Sequence, residues 1–384
     1  MPFPSRHRRW LLSTLACIAI TTLIAGLITP AAAGKPNNRR PHVRVIAPGV
    51  ALTTFADRRL PIRAFVMWID PSQGASIGMA LARGSLGELE RTSEMARDHG
   101  AIVAINGDLG SRARRPAHPF ALNGELVQTS PVLGAMFSIS GDGAMRIGRP
   151  TESASVTELD TGQTLPLAGW NQGRPGVGEL TAYTDQGGTL ESPRPFTCSA
   201  RLAPAGPSAP TDTGTARTYT VDQAGCFSNR LRTDGGIVIS AVPTTDEATF
   251  IRSLSQGESL RVDWSLGWPG VVDAIGGSHL LVQNGQIALG ACSGGICAPN
   301  PRTGIGLTAD GRIVLVVIDG RQHISTGLSL QAFAGFFVRL GVVSAMNLDG
   351  GGSSVMVVKG QVVNQPSDGF ERSVTNSLLV RLGD

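Results

Sequence analysis

The chain has 384 residues, of which 33 are Lys or Arg, 29 are Asp or Glu, 49 are Gly and five are Cys. A hydrophobic content of 41% supports a packed core and excludes a disordered chain, while 16% charged residues excludes a coiled coil. Residues 1–44 hold seven basic and no acidic side chains, so the remainder carries 26 basic (33 less 7) against 29 acidic ones. This slight negative charge argues against nucleic acid as a partner.

The N-terminus has the pattern of a secretory signal peptide. Arg6, Arg8 and Arg9 precede an apolar run over 10–28, and three alanines at 31–33 offer a cleavage site. We therefore predict a signal peptide over 1–33, a flexible tether over 34–45 and one domain over 46–384. The protein is expected to be secreted. An uncleaved signal is the alternative, and it would be the only attachment to a membrane, because no second run of about 18 apolar residues follows.

Four cysteines remain if Cys17 leaves with the signal, namely Cys198, Cys226, Cys292 and Cys297. Three pairings are possible, and we favour the two local ones, Cys198–Cys226 and Cys292–Cys297. A metal site is less favoured because no C-x-x-C pair or histidine cluster accompanies these residues. The Pro-, Ala-, Thr- and Gly-rich stretch flanked by the first pair makes 195–230 a predicted exposed insertion.

Short apolar runs and tight turns predict many strands with a few helices. Asn-Gly or Asp-Gly pairs, typical of hairpins, stand at 123–124, 142–143, 284–285 and 310–311. Helices are predicted over 88–99, 246–254 and 330–340, with Thr244 or Thr245 capping the second and Ser329 the third. The apolar runs 101–105, 313–318 and 342–348 are typical of strands buried on both faces. The predicted fold class is therefore α+β, a single domain with a twisted mixed β-sheet core, several packed helices and many hairpins.

Three of these apolar runs end in polar clusters, at 106–108, 319–321 and 347–354. Ligands of helix-covered sheets tend to bind beyond the carboxyl ends of the strands. The third cluster contains three successive glycines, Gly350, Gly351 and Gly352, which cost backbone entropy and can approach a ligand closely. Their N–H groups and the hydroxyls of Ser353 and Ser354 can surround an anion.

Three arginines strengthen the case for an anionic ligand. Arg302 precedes a predicted strand, Arg321 follows Asp319, and Arg372 lies in the segment 366–376. A guanidinium group can grip a phosphate or a carboxylate with two parallel donors. His323 is a candidate acid or base, although a lone histidine is more often structural.

Taken together, these residues resemble the phosphodiester glycosidase family. The most specific part is Asn347-Leu-Asp-Gly-Gly-Gly-Ser-Ser354. Supporting segments are Asn106-Gly-Asp108, Asn171 and Arg174 before Tyr183-Thr184, 272–277 with the hairpin 281–285, Arg302-Thr-Gly-Ile-Gly306, Asp319-Gly-Arg321 and 366–376. The resemblance covers about residues 95–383. It implies a hydrolase that cleaves a sugar-1-phosphodiester, of the alpha-N-acetylglucosaminyl type, at the anomeric carbon.

This reaction needs a carboxylate and an anion site, and the resemblance implies where both lie. We assign the carboxylate role to Asp349 or Asp319, with Asp108 third. The predicted substrate- and phosphate-binding residues are Asn106, Gly276, Gly277, Arg302, Arg321, Asn347, Gly350, Gly351, Gly352, Ser353, Ser354 and Arg372. We expect no cofactor and no metal ligand, and the expected partner is the carbohydrate phosphodiester itself.

Two other interpretations stay open at this point. Leu109-Gly110 stand where the family usually has aromatic residues, which favours a non-catalytic secreted binder of cell-wall glycan or of an anionic polymer. In the other, Asp108, Asp319 and Asp349 hold a divalent cation through oxygen ligands and assist cleavage of a P–O bond. Sensitivity to chelators and isotope labelling from water separate these alternatives.

Overall fold

The computed structural model describes residues 42–57, 61–110, 114–132, 134–188, 194–205 and 215–383. The predicted signal peptide over 1–33 lies outside these ranges, as does the predicted tether up to residue 41. Within the compact unit Pro41–Asp384, the first strand begins at His42. None of the helices in the described ranges has the length and apolarity to cross a bilayer.

The described ranges contain three α-helices, Thr92–Asp98 (α1), Asp246–Ser253 (α2) and Leu330–Arg339 (α3). The predicted caps are confirmed, since Thr245 Oγ1 accepts the Ala248 N–H at 3.3 Å and Ser329 Oγ accepts the Ala332 N–H at 3.1 Å. The predicted stripe of α3 is buried at Leu330, Phe333, Ala334 and Phe337. Helix α1 begins four residues later than predicted.

The predicted α+β class is wrong, because strands dominate the described residues, with 28 of them against three α-helices. The sheets are also less mixed than predicted. In the ranges that the structure covers, every strand pairing is antiparallel except that of Gly169–Trp170 with Thr181–Tyr183. The protein is a mostly antiparallel β fold in which a few helices cover sheet faces.

The part of the chain that the structure describes contains four sheets of five to eight strands. Sheet 1 contains, in spatial order, His42–Ala47, Val50–Asp57, Ile62–Ile69, Ile313–Ile318, Arg302–Thr308, Val342–Asn347, His279–Gln283 and Gln286–Ile287. Sheet 2 contains Gln361–Val362, Met356–Val358, Val103–Asn106, Asn376–Leu382 and Ala75–Leu81. Sheet 3 contains Met145–Gly148, Ala135–Ser140, Val271–Gly277, Phe120–Leu122 and Glu125–Gln128. Sheet 4 contains Thr164–Pro166, Ser153–Glu158, Ser259–Ser265, Thr215–Phe227, Thr197–Pro204, Ile237–Ala241, Thr181–Tyr183 and Gly169–Trp170, and a small ribbon pairs Glu90–Arg91 with Ser373–Val374.

The run 313–318 is continuously apolar, like a buried parallel strand, although it pairs antiparallel with both of its neighbours. Ile313, Leu315 and Val317 pack in the core that sheet 1 shares with sheets 2 and 3, while the alternate residues pack with α3 on the opposite face. Burial on both faces removes the alternation of polar and apolar residues whatever the strand direction. Strand Arg302–Thr308 lies between Ile313–Ile318 and Val342–Asn347 and is antiparallel to both.

Both predicted disulfides are present. Cys198–Cys226 joins neighbouring strands of sheet 4, and Cys292–Cys297 closes a short loop before strand Arg302–Thr308. The range 195–230, which was predicted to be an exposed insertion, contributes two strands to the middle of sheet 4, and its residues 206–214 lie outside the described ranges. Disulfides are typical of proteins that mature in an oxidising compartment.

Candidate active site

Sheets 1 and 2 are joined at Asn106, a fully buried side chain at the end of strand Val103–Asn106. Its Nδ2 donates to the main-chain oxygen of Asp349 at 2.8 Å. Its Oδ1 accepts from Thr303 Oγ1 at 2.8 Å and from the Val355 N–H at 3.1 Å. Asn106 lies two residues before Asp108 and binds Asp349 directly. Its side-chain amide therefore fixes the segments that carry Asp108 and Asp349 relative to each other.

Asp349 follows strand Val342–Asn347, and its N–H donates to the main-chain oxygen of Gly107 at 2.9 Å. This contact brings the carboxyl groups of Asp349 and Asp108 into the same site. Burial raises the pKa of Asp349 to about 6; the hydrogen bond with Ser353 opposes the rise, and the negative charge of Asp108 adds to it. A carboxyl group that titrates this close to neutral pH is a candidate for acid–base or nucleophilic chemistry.

Asp108 is buried and holds a histidine that the sequence analysis did not single out. One carboxylate oxygen accepts from the Leu109 N–H at 2.7 Å and contacts His118 Nδ1 at 2.7 Å, while the other accepts from the His118 N–H at 2.8 Å. Asn376 Oδ1 in turn accepts the Asp108 N–H at 2.8 Å. A carboxylate bound in this way orients an imidazole ring. No spacing rule in the sequence links a lone histidine to an aspartate ten residues before it.

At each of the three positions after Asp349, a different steric constraint favours glycine. A Cβ atom on Gly350 would lie 2.7 Å from the main-chain oxygen of Pro301, and Gly351 has a φ of +62°. A Cβ atom on Gly352 would overlap the side chains of Arg372 and Asp368. The turn also uses its own N–H groups, since Gly351 donates to Pro301 and Ser353 to Gly350. The arginine side chains are therefore the main source of positive charge beside the turn.

The predicted arginines lie at different depths around this turn. Arg321 is exposed, and its Nε and Nη2 donate to Asn300 Oδ1 at 3.2 and 2.9 Å. A Cβ atom on Gly351 would lie 3.1 Å from Arg321 Nη2, so this guanidinium group flanks the turn. Arg372 flanks it from Gly352, but forms an ion pair with Asp368 at 2.5 Å.

Arg302 is buried and binds main-chain oxygen atoms. Its Nε donates to Leu328 at 2.8 Å, and its Nη2 donates to Ile296 and Ala298 at 2.6 Å each. Burial, and then the charge of Arg321, lowers the pKa of Arg302 to about 10, so the group is still cationic at neutral pH. The structure thus places Arg302 beneath the loop 292–300, next to Arg321.

Asp319 lies behind the glycine turn. Its Oδ1 accepts from Asn364 Nδ2 at 3.1 Å and from the Gln365 N–H at 3.0 Å, and Asn364 Nδ2 also donates to the main-chain oxygen of Ser354 at 3.0 Å. Burial raises the pKa of Asp319, and the hydrogen bond from Asn364 opposes the rise. Asn364 therefore links Asp319 to the turn, since it hydrogen-bonds to both. In the described ranges, no three His, Cys, Asp or Glu side chains come together as a metal-binding group.

Gly276 and Gly277 end strand Val271–Gly277 of sheet 3 and lie beside the site. A Cβ atom on Gly276 would overlap His118, and one on Gly277 would overlap the main-chain oxygen of Asn347. Asn347 Oδ1 and His279 Nδ1 are buried without a hydrogen-bond partner among the described residues, as is Ser354 Oγ. Buried polar atoms of this kind are uncommon and often mark the position of a ligand or an ordered water.

Comparison with known proteins bears on this arrangement. The profile of the phosphodiester glycosidase family matches residues 212–381, which include Asp319, Arg321 and the turn after Asp349. The resemblance to the phosphodiester glycosidase family is confirmed. The matched region covers 170 of the 384 residues, so the comparisons show similarity to the family over this region.

The relatives of the chain include proteins named as enzymes and one uncharacterized protein. Bovine N-acetylglucosamine-1-phosphodiester alpha-N-acetylglucosaminidase is 26% identical over 299 residues, which cover 65% of this chain and 56% of the bovine protein. The human protein of the same name is 32% identical over 111 residues, covering 25% of this chain and 21% of the human one. An uncharacterized SPbeta prophage-derived protein of Bacillus subtilis is 39% identical over 85 residues, covering 22% of this chain and 13% of that protein. The chain thus matches less than two thirds of the length of each relative.

Solved structures share the fold. A hypothetical protein from Synechocystis superposes with a TM-score of 0.70 at 20% identity, covering 90% of this chain and 64% of the other. A putative exported protein from Burkholderia pseudomallei superposes with a TM-score of 0.61 at 22% identity, covering 83% and 74%. These likenesses support the mostly antiparallel architecture and carry no statement about substrate.

Proposed function

We propose that the chain is a hydrolase that cleaves a sugar-1-phosphodiester at the glycosidic bond, with Asp349 as the catalytic carboxylate. The observation that carries this proposal is a carboxyl group with a pKa of about 6 beside a glycine turn flanked by Arg321. The names of the mammalian relatives make alpha-N-acetylglucosaminyl phosphodiesters the first substrates to test.

The chemistry of the substrate fits these groups. A phosphate monoester is a good leaving group, so the reaction needs positive charge near the phosphate more than it needs a strong general acid. Ionised Asp349 supplies an electron pair, either to the anomeric carbon or to a proton of the attacking water, as in other glycosidases. In both routes the bond between the anomeric carbon and the ester oxygen breaks, and the phosphate monoester leaves with the bonding electrons.

Asp108 and Asp319 have supporting roles in this proposal. Asp108 already accepts three hydrogen bonds, from Leu109 and from both the N–H and the ring of His118, so it orients His118 and adds to the raised pKa of Asp349. Asp319 stabilises the far side of the turn through Asn364.

Export of the protein is a further part of the proposal. The N-terminal pattern of arginines, an apolar run and small residues supports a signal peptide. The two disulfides support folding in an oxidising compartment. We expect the active protein outside the cytoplasm, with the anionic sugar ester as its partner.

A screen of the purified chain on alpha-linked sugar-1-phosphodiesters tests the proposed activity. Replacing Asp349 by Asn should lower kcat by about 1,000-fold or more, because the amide can neither attack carbon nor accept a proton. The matched control is Asp98→Asn, which changes an exposed carboxylate at the end of α1 and should leave turnover unchanged. Equal turnover by Asp349→Asn and the parent chain would remove Asp349 from the mechanism. Binding of these esters without turnover would favour a non-catalytic binder.

A further inference from the structure

Arg302 and Arg321 bring two positive charges close together without a neutralising carboxylate. Among the described residues, Arg302 donates to main-chain oxygens alone, and Arg321 donates to the neutral side-chain oxygen of Asn300. Neither forms an ion pair with any residue in the ranges that the structure describes, whereas Arg372 on the other side of the turn is paired with Asp368. Since like charges repel, this pair of guanidinium groups favours an anion from outside the chain.

The loop closed by Cys292–Cys297 is fastened to the fold by one of these two arginines. The buried guanidinium group of Arg302 holds the main-chain oxygens of Ile296 and Ala298 from below. Asn300 closes the same loop, since its Nδ2 donates to Gly295 at 2.9 Å and to Ala298 at 3.2 Å. The disulfide, Arg302 and Asn300 therefore restrain the same few residues.

Asn300 connects this loop to Arg321. Its main chain exchanges two hydrogen bonds with Leu328, at 3.1 and 3.0 Å, which fixes the backbone. Its Oδ1 then accepts both Nε and Nη2 of Arg321. Arg321 has a φ of +59°, a left-handed conformation that is strained for a non-glycine residue and is often found at functional sites.

We propose that Asn300 is a positioning residue that directs the guanidinium group of Arg321 onto the phosphate of the substrate. The inference rests on the proposed function and names the residues that select its anionic substrate. An amide oxygen holds Arg321 without cancelling its charge, which a carboxylate at the same place would do. In the described part of the chain Arg321 Nη1 has no hydrogen-bond partner, so this nitrogen, beside Gly351, is available to a phosphate oxygen.

A double-mutant cycle on the full chain tests this inference, with inorganic phosphate as the probe and calorimetry as the measurement. Asn300→Ala and Arg321→Gln should each raise the phosphate Kd at least tenfold, since each variant weakens a charge-assisted hydrogen bond to the anion. In the Arg321→Gln background, adding Asn300→Ala should change the Kd less than about twofold, because Asn300 acts through Arg321. The loop control is Ser293→Ala, an exposed residue, which should bind phosphate like the parent chain.

A second readout separates positioning from mere loss of structure. For a sugar-1-phosphodiester, Asn300→Ala should raise KM about tenfold and change kcat less than about threefold. Asn300→Asp should weaken phosphate binding at least as much as Asn300→Ala, because its carboxylate would pair with Arg321.

The inference is overturned if phosphate does not bind the parent chain, if the single variants bind it normally, or if Asn300→Ala keeps its full effect without Arg321. Turnover of the parent chain with normal phosphate binding by Asn300→Ala would sink the inference and leave the proposed function intact. A cycle that behaves as expected in a chain without turnover supports the anion site and would contradict the proposed hydrolase.

Discussion

Asp349 owes its raised pKa to its surroundings. Burial removes water from the carboxyl group, and the neighbouring charge of Asp108 opposes its ionisation, whereas Ser353 and Arg372 favour it. The balance leaves the group half ionised near pH 6, so small changes in proton concentration change its charge. An ordinary surface aspartate, with a pKa near 4, would not respond in this range.

The pH dependence of kcat/KM should report this group. If ionised Asp349 is required, kcat/KM for a sugar-1-phosphodiester falls about tenfold per pH unit below a pKa of about 6 and levels off above it. Rate profiles between pH 4.5 and 8 measure this. Arg372→Gln should move the acidic limb to higher pH, because it removes a charge that favours ionisation of Asp349. A profile that is flat from pH 5 to 7 would exclude the group from the rate-determining chemistry.

Residue patterns predicted several members of this candidate site. The segment 347–354 stands out in the sequence because three successive glycines are unusual for a simple turn, and the family resemblance adds Asp108, Arg321 and Arg372. His118 and Asn300 do not stand out, since each acts through a contact that only the folded chain creates. The need for glycine at 276 and 277 also depends on tertiary contacts. A Cβ atom at these positions would overlap His118 and strand Val342–Asn347, respectively.

At the scale of elements, the sequence predicted helices better than sheets. The caps of α2 and α3 are local, so Thr245 and Ser329 could be identified from the residues that follow them. The order of strands depends instead on contacts between distant segments. Strands Arg302–Thr308 and Val342–Asn347 pair although α3 separates them in the sequence. No local pattern encodes that antiparallel arrangement.

The cap of α3 offers a test of the packing below the site. Ser329→Ala removes the acceptor for the Ala332 N–H and should lower the free energy of unfolding by about 1 kcal/mol. Ser329→Thr, which keeps a hydroxyl acceptor, should lose much less. Urea denaturation followed by circular dichroism measures both variants. If Ser329→Ala has an unchanged midpoint, α3 does not depend on this cap.

At the scale of the whole molecule, sheets 1, 2 and 3 share one core and their strand ends create the site. Asn106 brings Asp108 and Asp349 together from segments more than 200 residues apart in the chain. The apolar runs predicted buried strands correctly, but burial on both faces here comes from packing between sheets and from α3 rather than from a parallel arrangement. Sequence could therefore identify the strands that end at the site, while their direction and the sheet order required the structure.

The position of bond cleavage distinguishes attack at the anomeric carbon from attack at phosphorus. An alpha-N-acetylglucosaminyl phosphodiester is hydrolysed in water enriched in oxygen-18, and the products are analysed by mass spectrometry. We expect the label in the anomeric hydroxyl of the released sugar and none in the phosphate, with no product from Asp349→Asn. Label in the phosphate would show cleavage of the P–O bond and would rule out the proposed cleavage of the glycosidic bond.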